Sequence, residues 1–226
     1  MYFDWTYLLY IAPALLLGLW AQFRVKATYA AAQKMAAPLS GAAAARHVLD
    51  SAGLQSVGIE QIPGHLSDHY DPRHKVLRLS PEVYQSRSLA AVGIAAHEAG
   101  HALQDAKAYL PLVVRNAAVP AASFGSNASF FLIFIGLIFQ PLAFLAPIGI
   151  GLFACVVFFQ IVNLPVEFNA SSRAKTQLVA LGIVPPQEMT YVNKVLNAAA
   201  LTYVAATLQA IMILLYYLMR YSGSRD

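Results

Sequence analysis

The chain has 226 residues, 58% of them hydrophobic and 12% charged, with a mean hydropathy of +0.56. Charged residues make up about a quarter of an ordinary soluble domain, so this composition excludes one and points to a membrane protein. The net charge of +4 comes without a dense Lys/Arg cluster interleaved with aromatics, which argues against a nucleic-acid partner. The single cysteine, Cys155, rules out an intrachain disulfide and a thiolate metal site.

A bilayer-crossing helix takes about 20 mostly apolar residues. Residues 5–23 are uncharged, with Trp5 and Tyr7 at one end and Trp20 and Phe23 at the other, the interfacial aromatic pattern. Arg24 and Lys26 follow, and Asp4 is the only charge ahead. A cleaved signal peptide carries positive charge there, so the segment is expected to stay as an anchor. Ser40-Gly41 then opens an Ala-rich helix over residues 42–52, ended by Gly53. Alternation predicts a strand at 57–62, and a second at 76–79 after the Asp71-Pro72 turn. Ser80-Pro81-Glu82 reads as a helix start with proline at its first position. Ser88 reads as the N-cap of a further helix over 89–105.

Between Arg115 and Glu167 lie 51 residues without Asp, Glu, Lys or Arg, enough for two spans. Gln140-Pro141 and Pro147 break the run near its middle, predicting a helical hairpin over about 121–139 and 142–164. The last uncharged stretch, 197–219, is closed by Arg220. The expected fold is a mainly α integral membrane protein, a single domain over 1–226. It has about four transmembrane helices and a small α+β soluble part drawn from residues 24–116 and 165–196.

Sidedness follows from the basic residues. The stretch from Arg24 to Arg115 holds ten of the fifteen Lys and Arg, and 165–196 holds Arg173, Lys175 and Lys194. The C-tail holds Arg220 and Arg225. With four spans the two basic segments share one side, expected to be the cytoplasm, with both termini outside.

The chemistry centres on His97-Glu98-Ala99-Gly100-His101, an H-E-x-x-H pattern. On a helix, residues four apart lie on one face, so both imidazoles can meet one Zn²⁺. Glu98 stands beside them, placed to take a proton from an attacking water and return it to the leaving amine. Composition alone gives such a pattern about 0.003 times in a chain of this length. The bland alternative is a solvated helix with two surface histidines. Val92, Ile94, Ala95, Ala96, Ala99, Ala102 and Leu103 make the helix apolar on most sides, which predicts burial instead. A catalytic site takes a third protein ligand and keeps one position open. The remaining candidates are His47, His65, His69, His74, Glu60, Glu82, Glu167 and Glu188; Glu167 stands out because it directly follows the apolar hairpin.

Three stretches carry a family likeness: His65-Leu66-Ser67-Asp68-His69-Tyr70-Asp71-Pro72, Ser88 through Gln104, and Pro165 through Ala174. The chain resembles the YugP-like neutral zinc metallopeptidases, a bacterial membrane family. More distantly, the E-x-x-A pattern at Glu167 is similar to the second motif of HtpX-like and CAAX-prenyl endopeptidases. The resemblance implies a zincin-like soluble part and Glu167 as the third zinc ligand. The broader pattern places Asp four residues after that Glu; here the position is Ser171, with Asn169 two residues after Glu167. A shared zinc also needs His97 and Glu167 on one membrane face, which two crossings between them satisfy. The alternative for Glu167 is an interfacial carboxylate at a helix start after Pro165.

Asp68 and His69 are read as a local turn network, with substrate contact as the alternative. Arg173 is read as a membrane-surface anchor, with oxyanion stabilisation or a carboxylate partner as the alternative. His47 is expected exposed or packed. The expected function is a membrane-embedded zinc endopeptidase of a bacterial inner membrane, its site on the cytoplasmic side, acting on membrane-associated proteins or peptides. The rival is a non-enzymatic transporter or scaffold with a structural zinc. A transporter places ionisable residues at membrane depth, and none lies inside the four expected spans.

Overall fold

The computed structural model describes residues 5–223; Asp4 and Arg225, used above in reading anchor and sidedness, lie outside them. The described chain is mainly helical with one small sheet. In order it forms α1 (Trp5–Gln33), α2 (Gly41–Ser51), β1 (Gly58–Gln61), β2 (His69–Asp71), β3 (Val76–Leu79), α3 (Pro81–Gln85), α4 (Leu89–Ala106), α5 (Leu110–Ile138), a 3-10 turn (Gln140–Leu142), α6 (Leu145–Ala180) and α7 (Met189–Ser222). Four helices, α1, α5, α6 and α7, are long and apolar enough to cross a membrane.

The chain divides into two compact units. One comprises residues up to Trp20, Val113–Leu164 and residues from Leu201. Its helices carry large apolar side chains on their outer surface, among them Leu9, Phe124, Phe131 and Phe158. A helix satisfies its own backbone hydrogen bonds, so such a surface suits lipid. The expected hairpin is present, α5 turning into α6 at Gln140–Leu142. Small residues let these two backbones meet: a Cβ on Gly136 would lie 2.3 Å from the Ala146 nitrogen, and one on Gly149 2.8 Å from the Ile133 nitrogen.

The other unit comprises Ala21–Leu112 and Pro165–Ala200. Its sheet has the order β1-β3-β2, with β1 parallel and β2 antiparallel to β3. Strands β1 and β3 match the two expected from sequence. Strand β2 was not expected: His69-Tyr70-Asp71 is short, polar and without apolar alternation. The core gathers Val48, Leu49, Leu77, Leu79, Val83, Leu89 and Val92 around α2, β3 and α4. Ser40 caps α2, and Ser88 caps α4 as expected, each side-chain oxygen accepting from a backbone N–H three residues on, at 3.3 and 3.2 Å. Helix α4 is buried nearly all round, from Leu89 through Gln104, with only Ile94 and His97 partly open.

Helix α6 departs from expectation. It runs unbroken through Pro165 to Ala180, so no helix starts after that proline. A proline in a helix interior costs about 3 kcal/mol. Val166, Ala170, Ala174 and Leu178, each fully buried at four-residue spacing, offset that cost by packing. The adjacent stripe carries Glu167 and Ser171, also buried. Helices α1, α5 and α7 likewise outrun their expected spans, because apolarity limits a span and not a helix.

Helices α4 and α6 come backbone to backbone at Gly100. A Cβ there would sit 2.6 Å from the Ala170 carbonyl oxygen, a backbone atom that cannot swing aside. At Gly93 the same atom would meet only the Val192 side chain, at 3.1 Å, and at Gly151 it would meet nothing within 4 Å. Gly100→Ala is therefore expected to destabilise the protein by about 1–3 kcal/mol, as overpacking does. Gly93→Ala should cost less and Gly151→Ala close to nothing. Thermal unfolding of the three detergent-purified variants checks the ranking.

Candidate metal centre

Helix α4 presents His97 and His101 one turn apart, and α6 brings Glu167 against them. One ligand atom from each lies within 4.8 Å of the other two. The His97 Nε2 is 3.2 Å and the His101 Nε2 3.7 Å from the Glu167 Oε2. The rings stand nearly perpendicular, 87° apart with centroids at 4.8 Å, so both nitrogens converge on the carboxylate without stacking.

These spacings fit a shared ion. Bonds of 2.0–2.1 Å in a tetrahedral zinc site leave ligand atoms about 3.3 Å apart. A direct imidazolium–carboxylate hydrogen bond closes to about 2.7–2.9 Å, shorter than either distance here. The donor set of two imidazoles and one carboxylate suits Zn²⁺. His101 and Glu167 are buried and His97 is mostly so, and polar groups this far from water are costly without a cation to balance them.

The outward ring nitrogens are also engaged. The His97 Nδ1 lies 3.0 Å from the Ser171 Oγ, and the His101 Nδ1 lies 3.0 Å from the Gln104 Oε1. An amide oxygen only accepts, so the His101 Nδ1 carries the hydrogen and its Nε2 keeps a lone pair toward Glu167. Ser171, noted above as the place where Asp is usual, thus meets His97. Gln104 was missed from sequence. Its signal was position: three residues after His101, it falls on the same helix face.

Glu98, between the two histidines on α4, reaches the sheet. Its Oε2 accepts from the Tyr70 backbone N–H at 3.1 Å, which ties the carboxylate to edge strand β2. The Tyr70 hydroxyl donates to the Asp105 Oδ2 at 2.7 Å, on the same helix α4, and Lys75 pairs with that carboxylate too. Burial first, then the hydrogen bond to Asp105, hold the Tyr70 phenol above its ordinary range, so it stays protonated and donating.

The other candidates are used elsewhere. Asp68 accepts from the Ser80 backbone N–H and hydroxyl at the start of α3, twelve residues on and not within a local turn. His69 meets the Ser67 carbonyl, His65 meets Glu82, and His74 meets Asp71. Glu60 pairs with Arg78, and His47 is exposed on α2. Arg173 is not a free anchor: its Nε donates to the Asn169 Oδ1 at 2.7 Å.

A chain with four helices of membrane-spanning length and a His–His–Glu cluster able to hold a metal has the makings of a membrane metalloprotein. Comparison with known proteins narrows this. The chain belongs to the family described as "Putative neutral zinc metallopeptidase", whose profile matches residues 7–222. It is similar to the "Putative membrane protease YugP" of Bacillus subtilis (strain 168). The two are 46% identical over 215 residues, covering 94% of this chain and 95% of the relative. No solved structure matches the chain.

Burial alone would lower the His101 pKa; the adjacent Glu167 carboxylate and the nearby charge of Glu98 outweigh it, so the imidazole sits above its ordinary value. In metal-free protein, His101 should therefore titrate above about 6.5. Its stabilising contribution is full below that pH and is lost as pH rises through the raised value. Glu167→Gln removes the charge and should lower the His101 pKa relative to wild type. Histidine NMR of chelator-treated samples of both proteins reads the two values.

Proposed function

We propose that this protein is a membrane-embedded zinc endopeptidase in which His97, His101 and Glu167 hold one Zn²⁺ and Glu98 is the general base and acid. The observation that carries this reading is the convergence of the two imidazoles and the carboxylate at 3.2 and 3.7 Å, with spacings suited to one ion. The family description and the relative's name support it.

Bound there, zinc lowers the pKa of a water and polarises the carbonyl under attack. Glu98 accepts the proton of the attacking water on one carboxylate oxygen and returns it to the leaving amine nitrogen. The Tyr70 N–H holds the other oxygen and fixes the direction in which the carboxylate faces. Ser171 and Gln104 hold the rings so that both Nε2 atoms face inward, and the Gln104 oxygen leaves the His101 Nε2 with its lone pair. The soluble part, with its sheet edge beside the motif helix, is read as zincin-like, and the chain as one functional domain.

The substrates proposed are proteins or peptides at the membrane, as in membrane-protein quality control. Glu167 lies three residues beyond Leu164, the end of an apolar run in the same helix, which favours substrates reached at the bilayer. The basic segments favour a site on the cytoplasmic face of a bacterial inner membrane.

Glu98→Gln should keep bound zinc and lose peptidase activity by at least about a hundredfold, the scale of lost general acid–base catalysis. Glu167→Ala should lose zinc affinity itself. Metal analysis alongside a peptide-cleavage assay separates the two, and normal cleavage by Glu98→Gln would contradict the catalytic assignment. Soluble casein cleaved as readily as any membrane substrate would contradict the substrate class. Reporter fusions near Gln61, Leu181 and the C-terminus should place the first two together and the third opposite.

A further inference from the structure

The two candidate zinc histidines differ in how they are held. Ser171 offers His97 a hydroxyl, which donates or accepts as needed. Gln104 offers His101 an amide, whose two ends are chemically opposite. Turned the other way, the same amide would present N–H to the His101 Nδ1. It would then force the ring proton onto Nε2, where a metal must bind.

Its neighbours decide the orientation. The Gln104 Nε2 donates to the Val166 carbonyl at 2.8 Å and to the Asn169 Oδ1 at 3.0 Å. The carbonyl only accepts. Asn169 could present either end of its own amide, but its Oδ1 also accepts from the Arg173 Nε at 2.7 Å. A guanidinium has donors and no acceptor, and does not lose its proton in a protein. It also lies 5.8 Å over the Tyr109 ring, a cation–π contact that fixes it in place. The direction of donation thus runs from Arg173 to Asn169, leaves the Asn169 oxygen for the Gln104 nitrogen, and leaves the Gln104 oxygen for His101. Gln104 is fully buried, so no water can repair a reversed amide.

We infer that Gln104, oriented by Asn169 and Arg173, is a positioning residue that sets the His101 tautomer before metal arrives. This inference rests on the zinc reading above. It gives Arg173, exposed only in part and bonded to no ligand of the cluster, a role in metal affinity. It also gives His101 a neutral amide partner whose polarity is set together by the Val166 carbonyl and by the Arg173–Asn169 pair.

The test compares purified wild type with Gln104→Met, Asn169→Leu, Asn169→Asp and Arg173→Met. Zinc affinity is read by competition with a chelating indicator, ring geometry by the absorption bands of the Co²⁺-loaded protein, and folding by unfolding of the metal-free form. Outer partners of zinc histidines are worth about 10–100-fold in affinity. Gln104→Met and Asn169→Leu should weaken zinc by that range and shift the Co²⁺ bands, with metal-free unfolding close to wild type. Asn169→Asp accepts the same two hydrogen bonds and should bind within about threefold of wild type. Arg173→Met should fall between. Variants Gln104→Met and Asn169→Leu that both bind zinc like wild type, with unchanged Co²⁺ bands, overturn the inference. If Gln104→Met does not fold, Asn169→Leu and Arg173→Met decide alone, and normal binding by both overturns it. A wild-type protein that takes up no zinc overturns the zinc reading instead, so the two failures are distinguishable.

Discussion

The candidate centre depends on one close contact. Helices α4 and α6 touch where Gly100 faces the Ala170 backbone, and no side chain larger than hydrogen fits between them. His97 and His101 lie on either side of that glycine, and Glu167 and Ser171 on either side of Ala170. The contact therefore sets the distance from each imidazole to the carboxylate. It also explains why α6 continues through Pro165: the buried stripe of Val166, Ala170, Ala174 and Leu178 holds the helix against α4, and a break there would swing Glu167 away.

Around this contact the polar groups divide by task. Those facing inward have a negative carboxylate among them and suit a cation. Those facing outward are neutral, a serine hydroxyl and a glutamine amide, and the carboxylates whose charge acts on His101 are Glu98 and Glu167. Glu98 is held from a third direction by the Tyr70 backbone. Strand β2 is fastened to α4 by that bond and by the Tyr70 hydroxyl on Asp105, so a short polar strand with little packing of its own keeps its place. The carboxylate proposed to move protons thus rests on backbone, while the residues proposed to hold metal rest on side chains of the two helices that carry them.

Much of this could be read in the sequence. The four long helices followed from uncharged runs, the α5–α6 hairpin from Gln140-Pro141, the start of α2 from Ser40-Gly41, and the cap of α4 from Ser88. The pairing of His97 with His101 followed from helical spacing alone. Glu167 was singled out by where it follows the apolar hairpin and implied by family resemblance; spacing could not have found it, since its partners lie 66 and 70 residues away. Three features escaped. Strand β2 has no apolar alternation, because its hydrogen bonds, not its side-chain pattern, hold it. The helix through Pro165 runs against local propensity and wins by packing. Gln104 looks ordinary in sequence because its partners Val166 and Asn169 lie on a helix distant in sequence, and Arg173, read as a surface anchor, is bonded to Asn169 one turn back on its own helix.

The central claim is that two imidazoles and one carboxylate share a zinc ion. X-ray absorption at the zinc edge of the purified, zinc-loaded protein tests it most directly. The expected spectrum has only nitrogen and oxygen neighbours near 2.0–2.1 Å, with the outer-shell scattering of two imidazoles, and Glu167→Ala alters it. A spectrum with sulfur neighbours, or one without imidazole scattering, would contradict the account.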